Sequence, residues 1–272
     1  MTKFKNKLLN SSCLNRTILI ASLAGAIAAP LNAANAIDPN TTPTGGKVVG
    51  GQADISKPAN TNNVLNVNQH TNRAVIDWQS FNIGKDAKAE FFQPGTGSLA
   101  VNRVVGGSGD PTKILGQLKA NGQLMVLDQN GVFFGRNSVI DTNGIIASTG
   151  TVSTDQVMSG ASKIELSNFG SGEIVMNGTV NVAQAGLAAF VAPTVKNNGV
   201  INARLGKVAF GAGSKVTVDL YGDQLIEIAV DDKTEKALLE NTGQINAQGG
   251  SVALTANAAK GLVDNVINME GV

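Results

Sequence analysis

Six residues in the last third of the chain recur. Asn177-Gly178-Thr179-Val180-Asn181-Val182 returns as Asn198-Gly199-Val200-Ile201-Asn202-Ala203, and again as Thr242-Gly243-Gln244-Ile245-Asn246-Ala247. The first two glycines are 21 residues apart, and the next gap is 44, two such periods with the polar stretch 231–241 inside it. Each copy alternates polar and apolar side chains behind a Gly or Asn turn, the period-2 pattern of a half-buried strand. A unit this short cannot bury its apolar side alone, so copies must stack. The prediction is an all-β chain: a single-stranded parallel β-helix, with about three short strands per coil, capped by strands before its first coil. Apolar residues would point inward, and Asn at matched positions would form ladders along the axis. A β-sandwich, whose strands recur every ~8–12 residues, is the alternative; matched side chains at a fixed period favour the solenoid.

The first 36 residues read differently from the rest. Lys3, Lys5, Lys7 and Arg16 precede an apolar run, 18–29, and then Ala34-Asn35-Ala36, a small-x-small cleavage site after Ala36. This is the pattern of a Sec signal peptide, and the run is too short to span a bilayer comfortably as a mature helix. The leader holds four of the 21 basic residues and none of the 20 acidic ones, so the mature part carries 17 against 20, a net charge of −3. A weakly acidic surface argues against a nucleic-acid partner, which needs a basic face. Cys13, the sole cysteine, lies in the leader. The exported part therefore has no disulfide or thiolate metal site available to it. At coils ~4.8 Å apart, the mature chain would form about 11 coils in a rod of roughly 50 Å.

From Thr41 onward, short apolar runs such as Val64-Leu65-Asn66-Val67, Ala74-Val75-Ile76-Asp77-Trp78 and Lys207-Val208-Ala209-Phe210 alternate with Gly, Asn and Ser. Two stretches, Thr112–Ala120 and Lys233–Asn241, favour helical turns. Trp78, Phe81, Phe91 and Phe92 are expected to pack together in the core near the capped end. The segment through Gly50-Gly51 is expected to supply the cap.

One block stands out: Gly122-Gln123-Leu124-Met125-Val126-Leu127-Asp128-Gln129-Asn130-Gly131-Val132-Phe133-Phe134-Gly135-Arg136. It reads as strand, tight turn, strand, since Asn and Gly tolerate φ > 0. It resembles the Asn-Pro-Asn-Gly-Ile signature of two-partner secretion (TPS) exoproteins. The blocks around it follow the same order: Ala74–Gly84, Ala89–Pro94, Ala100-Val101-Asn102-Arg103-Val104, Ile114–Gly122 and Asp141-Thr142-Asn143-Gly144-Ile145-Ile146-Ala147-Ser148-Thr149. Together they are similar to the amino-terminal secretion domain, or haemagglutination activity domain, of filamentous haemagglutinin-like exoproteins. The resemblance is strongest over about residues 38–155. It divides the chain into a leader (1–36), a TPS core (37–155) and continuing β-helix repeats (156–272).

The resemblance implies a right-handed β-helix and no enzymatic activity or cofactor. It implies export by the Sec machinery and recognition by the periplasmic POTRA domains of an outer-membrane TpsB-type β-barrel transporter. It also implies release to the medium or surface of a Gram-negative cell, with a host-cell or neighbouring-cell receptor as a further partner. The turn Asp128, Gln129, Asn130, Gly131 becomes the candidate recognition element, beside the reading that these residues only shape the turn. Asn102, Arg103, Gly135, Asn143 and Gly144 match the family as structural positions, Arg103 lying over a coil edge. The chain has Asp128-Gln129 where the family has Asn-Pro. Asn130-Gly131 is kept, so the turn should survive, since Asp can satisfy turn backbone as Asn does; losing Pro removes a pre-set φ.

Other chemistry is weakly signalled. Asp128 opens a calcium-loop-like run that fails at Val139, where the loop needs Glu. Residues 106–113 lack the Gly-Lys-Ser/Thr of a phosphate loop. His70, the sole histidine, sits in a polar turn. Asp219, Asp223 and Glu227 are the acid–base candidates if the fold instead hosts a carbohydrate-active enzyme. A free-standing surface-binding module is the third reading.

Overall fold

The computed structural model describes residues 37–106, 109–212, 215–219, 226–229, 238–256 and 267–269. Its chain winds as a parallel β-helix, as the repeat predicts. Each coil from the second onward lays down one strand in each of three sheets, in a fixed order, and the first coil lays down only the first two. The first sheet takes β3 (Val64–Gln69), β5 (Lys88–Phe92), β8 (Gln117–Ala120), β11 (Val139–Thr142), β15 (Thr179–Val182), β18 (Val200–Asn202) and β23 (Gln244–Asn246). The second takes β4 (Arg73–Trp78), β6 (Leu99–Val104), β9 (Gln123–Leu127), β12 (Gly144–Ser148), β16 (Leu187–Val191), β19 (Lys207–Ala212) and β24 (Ser251–Ala256). The third takes β7 (Thr112–Ile114), β10 (Gly131–Phe134), β14 (Glu173–Met176), β17 (Thr194–Asn197), β22 (Leu238–Asn241) and β25 (Ile267–Met269).

The second sheet thus counts seven coils among the described residues, fewer than even division of the chain by 21 predicts. Chain is used elsewhere. β1 (Lys47–Gly50) and β2 (Ala53–Ser56) run antiparallel to β4 and β3 and close the first rung, as expected of a cap. A short helix, α1 (Thr154–Met158), and β13 (Lys163–Leu166) leave the fourth coil between its second and third strands. β20 (Lys215–Asp219) and β21 (Ile226–Ala229) leave the sixth coil at the same corner. β13, β20 and β21 pair antiparallel as a separate sheet.

Registers explain the repeat. Asn181 faces Asn202, and Asn202 faces Asn246. Each later side-chain amide donates to the Oδ1 of the earlier one, at 2.8 Å. A second ladder runs from Asn177 through Asn198 to Thr242. Each such bond contributes about 0.5–1.5 kcal/mol net, and each is made only in register. Inside the coils, Phe190 sits directly over Phe210 with ring centroids 5.6 Å apart. Burying a side chain of this size stabilises by about 1.5–3 kcal/mol.

The first sheet alternates half-buried and buried residues, as in β3 and β15. The second does not: every residue of β12 and β16 is buried. A sheet covered on both faces loses alternation. Its inner face joins the coil interior, and its outer face forms a second apolar cluster with Val152, Val157, Ile164, Leu166, Val216 and Val218.

Three local expectations are corrected. Thr112–Ala120 is two strands, not a helix: Ile114 and Leu118 both point inward, but from β7 and β8 on either side of a corner at Leu115-Gly116. Their spacing of four imitates a helical face. Leu238–Asn241 is β22, because the ladder with β17 overrides its helical propensity; residues 233–237 lie outside the described residues. Phe92 is 46% exposed, since in a strand the neighbour of inward-facing Phe91 faces out. Trp78, Phe81 and Phe91 do pack together, with Trp78–Phe81 centroids at 5.5 Å. Among the described residues no helix is long and apolar enough to cross a membrane.

Candidate functional site

The signature turn sits at the corner of the third coil, where β9 of the second sheet passes into β10 of the third. The Gly131 N–H donates to the Asp128 carbonyl at 2.9 Å, so Gln129 and Asn130 are the central residues. Of the four, only Gly131 has positive φ, +111°. The turn is therefore centred one residue earlier than the Asn-Gly pair alone suggests. The reason is the fold: this corner joins strands of two sheets, where a two-residue hairpin would need φ > 0 at both central residues.

Asp128 organises the corner. Its side chain is buried, 2% exposed. Oδ1 accepts the Asn130 N–H at 2.9 Å, the local turn bond that Asx residues make. Oδ2 accepts both the Thr112 N–H, at 3.0 Å, and the Thr112 hydroxyl, at 2.8 Å, from the second coil below. Burial pushes the carboxyl above its ordinary range, against the opposing pull of these hydrogen bonds. All three donors point at it, so an amide here would turn its NH₂ toward at least one donor.

From above, the fourth coil closes on the turn. The Gly172 N–H reaches the Gln129 carbonyl at 3.3 Å, and the Gln129 amide donates to the Asn168 carbonyl at 2.8 Å. A Cβ at Gly131 would lie 2.5 Å from the Glu173 carbonyl oxygen. Only the side chains of Gln129 and Asn130 remain exposed. They rim a groove of about 420 Å³ whose other walls include Arg103, Val105, Gly106 and Thr151. Val105 is 64% exposed at its edge.

A model of the TPS secretion domain family matches residues 39–272. The chain belongs to that family. Two curated relatives of the TPS domain are heme/hemopexin-binding proteins of Haemophilus influenzae. One, from strain Rd, is 31% identical over 79% of this chain and 23% of its own length. The other is 28% identical over 83% of this chain and 26% of its own length. The chain thus spans about a quarter of the relatives it matches. Among solved structures, the secretion domain of HMW1 from Haemophilus influenzae aligns with TM-score 0.70 at 29% identity, over 79% of this chain and 56% of that one. The filamentous haemagglutinin secretion domain aligns with TM-score 0.53 at 15% identity, covering 84% and 96%, a likeness of fold.

The remaining family-matching positions of this TPS domain lie elsewhere. Asn102 is fully buried on β6 and accepts the Trp78 indole N–H at 3.0 Å, while its amide reaches the carbonyls of Ala100 and Met125. Arg103 points outward. It pairs with Asp77 at 2.7 Å and donates to the Val152 carbonyl at 3.0 Å. Arg103 lines the groove, so the fold brings it beside the turn, which sequence spacing does not show. Gly135 turns the corner after β10, donating to the Ile114 carbonyl. Asn143 occupies the corner before β12 and Gly144 opens that strand, with the Asn143 amide on the Thr96 carbonyl. Thr112 is the partner of the turn that sequence reading missed; its one signal is a hydroxyl at an inward-facing strand position.

His70 pairs with Asp54 at 2.8 Å on the exposed cap. Among the described residues no three His, Cys, Asp or Glu cluster to hold a metal. Val139, where a calcium loop would need Glu, opens β11. Of the acid–base candidates, Asp223 lies outside the described residues. Asp219 is on β20, and Glu227 on β21 stands opposite Thr217 rather than Asp219. The leader, with Ala36, also lies outside the described residues.

Proposed function

We propose that this TPS domain targets an exoprotein to a dedicated outer-membrane TpsB-type transporter and seeds β-helix folding outside the cell. Family membership over residues 39–272 carries the reading. TPS exoproteins are exported and are secreted or surface-associated in Gram-negative bacteria. The finer route follows from that: a Sec leader removed after Ala36, capture by periplasmic POTRA domains, then threading outward. The seeding unit is the TPS core, residues 37–155, and the repeats of 156–272 extend it. The physics suits the task. The exported part has no cysteine to cross-link before threading, and its coils stack on a capped first rung, so folding can propagate from that end.

At the third-coil corner, Gln129 and Asn130 are the side chains through which the turn is read, while Asp128 and Gly131 shape it. The relatives' printed activity, binding heme or hemopexin, belongs to proteins more than three times as long. The whole exoprotein's activity is proposed here only as surface binding, of an adhesin or haemagglutinin-like kind, with a cell-surface receptor as partner.

The test is secretion. The chain is expressed with and without the neighbouring barrel transporter, and periplasm and medium are assayed. Transporter-dependent appearance in the medium supports the reading. Loss of export in Asn130→Ala, with folded stability unchanged, assigns recognition to the turn. Appearance without any transporter overturns both.

A further inference from the structure

In a plain solenoid each coil touches only its neighbours, so coils can fray one at a time. This domain carries contacts that skip coils. On the outer face of the second sheet, Val75, Val101, Met125, Ile146, Ala189 and Ala209 stand in one column across six successive strands. The cover over that column comes from two distant corners. α1 and β13, which leave the fourth coil, reach back to the first two. The Arg73 guanidinium, on β4, donates to the carbonyls of Val157, Gly160 and Ala161 at 2.8, 3.1 and 2.7 Å. These include groups that the end of a helix leaves without partners. Arg103, on β6, holds the Val152 carbonyl. β20, which leaves the sixth coil, then pairs with β13, and Ile164, Leu166, Val216 and Val218 are all fully buried against the sheet.

We propose that this outer layer is a strap that locks the first six coils into one cooperative unit, with Arg73 as its principal latch. The proposal does not depend on how the chain is exported. Coils one, two, four and six cannot open without breaking contacts to a coil two or more rungs away. The lock closes only when chain through β20 is in place, so the early coils gain their full stability after the late ones are laid down.

Native-state hydrogen exchange in a urea series, on the full chain, tests this. In the wild type, ladder amides of β4, β6, β9, β12, β16 and β19 are expected to share one opening with one urea dependence. In Arg73→Met, exchange in α1 and β13 is expected to rise ~10–100-fold, and the shared opening to split, early and late coils then differing in urea dependence. Gln156→Ala, which removes a side-chain amide that pairs with the Glu165 backbone N–H and carbonyl of β13, is read the same way and serves if Arg73→Met does not fold. Graded, coil-by-coil openings in the wild type would overturn the proposal. So would a single shared opening that persists in a variant whose strap amides already exchange fast.

Discussion

The third and fourth coils turn from the second sheet to the third at the same place, by opposite means. The third-coil corner uses four residues, 128–131, and is held by polar satisfaction around a buried carboxylate. The fourth-coil corner spends residues 149–172 on an excursion and is held by apolar burial and two arginines. The winding itself constrains neither, because this corner lacks the repeated side-chain ladder that Asn177, Asn198 and Thr242 form where the third sheet passes to the first. What a corner does is therefore free to vary coil by coil. In this domain the tight corner presents two side chains, and the long one covers a face.

If the long corner is as much core as the interior, its burial should cost as much to remove. Ile145 points into the coil and Ile146 outward beneath the strap, and both are buried. Ile145→Ala and Ile146→Ala are each expected to lose about 2–5 kcal/mol in urea unfolding, within ~1 kcal/mol of each other. A loss below ~1 kcal/mol at Ile146 alone would mean that the strap stands open in solution.

The two corners also separate two costs of replacing glycine. Gly131 and Gly160 both have positive φ, +111° and +81°. A Cβ at Gly131 meets the Glu173 carbonyl, whereas one at Gly160 meets nothing within 4 Å. Gly160→Ala should cost about 1 kcal/mol, from backbone strain alone. Gly131→Ala should cost about 2–4 kcal/mol, because the fourth coil must also move. Equal losses would show that the fourth coil does not press on the turn.

How much of this was legible beforehand divides along the same line. The coil stacking was, because it repeats its demands: Val180, Ile201 and Ile245 face inward beside Asn181, Asn202 and Asn246, which form one ladder on the outside, so the pair recurs with the coil. The tight turn was, because Asn130-Gly131 is local turn chemistry. The strap was not. β13 and β20 pair across some fifty residues with no local signature, and α1 is too short to show a periodic face. A trace of the strap did exist in Leu187-Ala188-Ala189-Phe190-Val191, an apolar run without alternation, which marks a strand covered on both faces. Thr112 was invisible for a related reason, since its partner Asp128 belongs to the next coil.

Asp128 and Thr112 offer a smaller, sharper test. Asp128→Asn restores the residue type of the family signature, yet it should destabilise by about 1 kcal/mol, because an amide cannot accept from all three donors. Thr112→Val should cost about the same, and the double variant less than the sum, since the two share a bond. Additive losses would mean that the carboxylate is satisfied some other way.

The least of the expected effects is pH dependence, and its sign is fixed by the direction of the shift. The Asp128 carboxyl is raised in the folded state, so the native protein holds this proton more tightly than the unfolded chain does. Its contribution to stability is then fully present below the unfolded carboxyl's range and is lost as pH rises through the folded value. Other carboxylates titrate in the same window, so the readout is a difference. The stability of the wild type minus that of Asp128→Asn should grow as pH falls from neutral through the carboxylate range, and should be flat above it. A difference that instead shrinks on acidification would show that the three hydrogen bonds outweigh burial. The tight corner would then be a net source of stability rather than a turn that tolerates a buried charge.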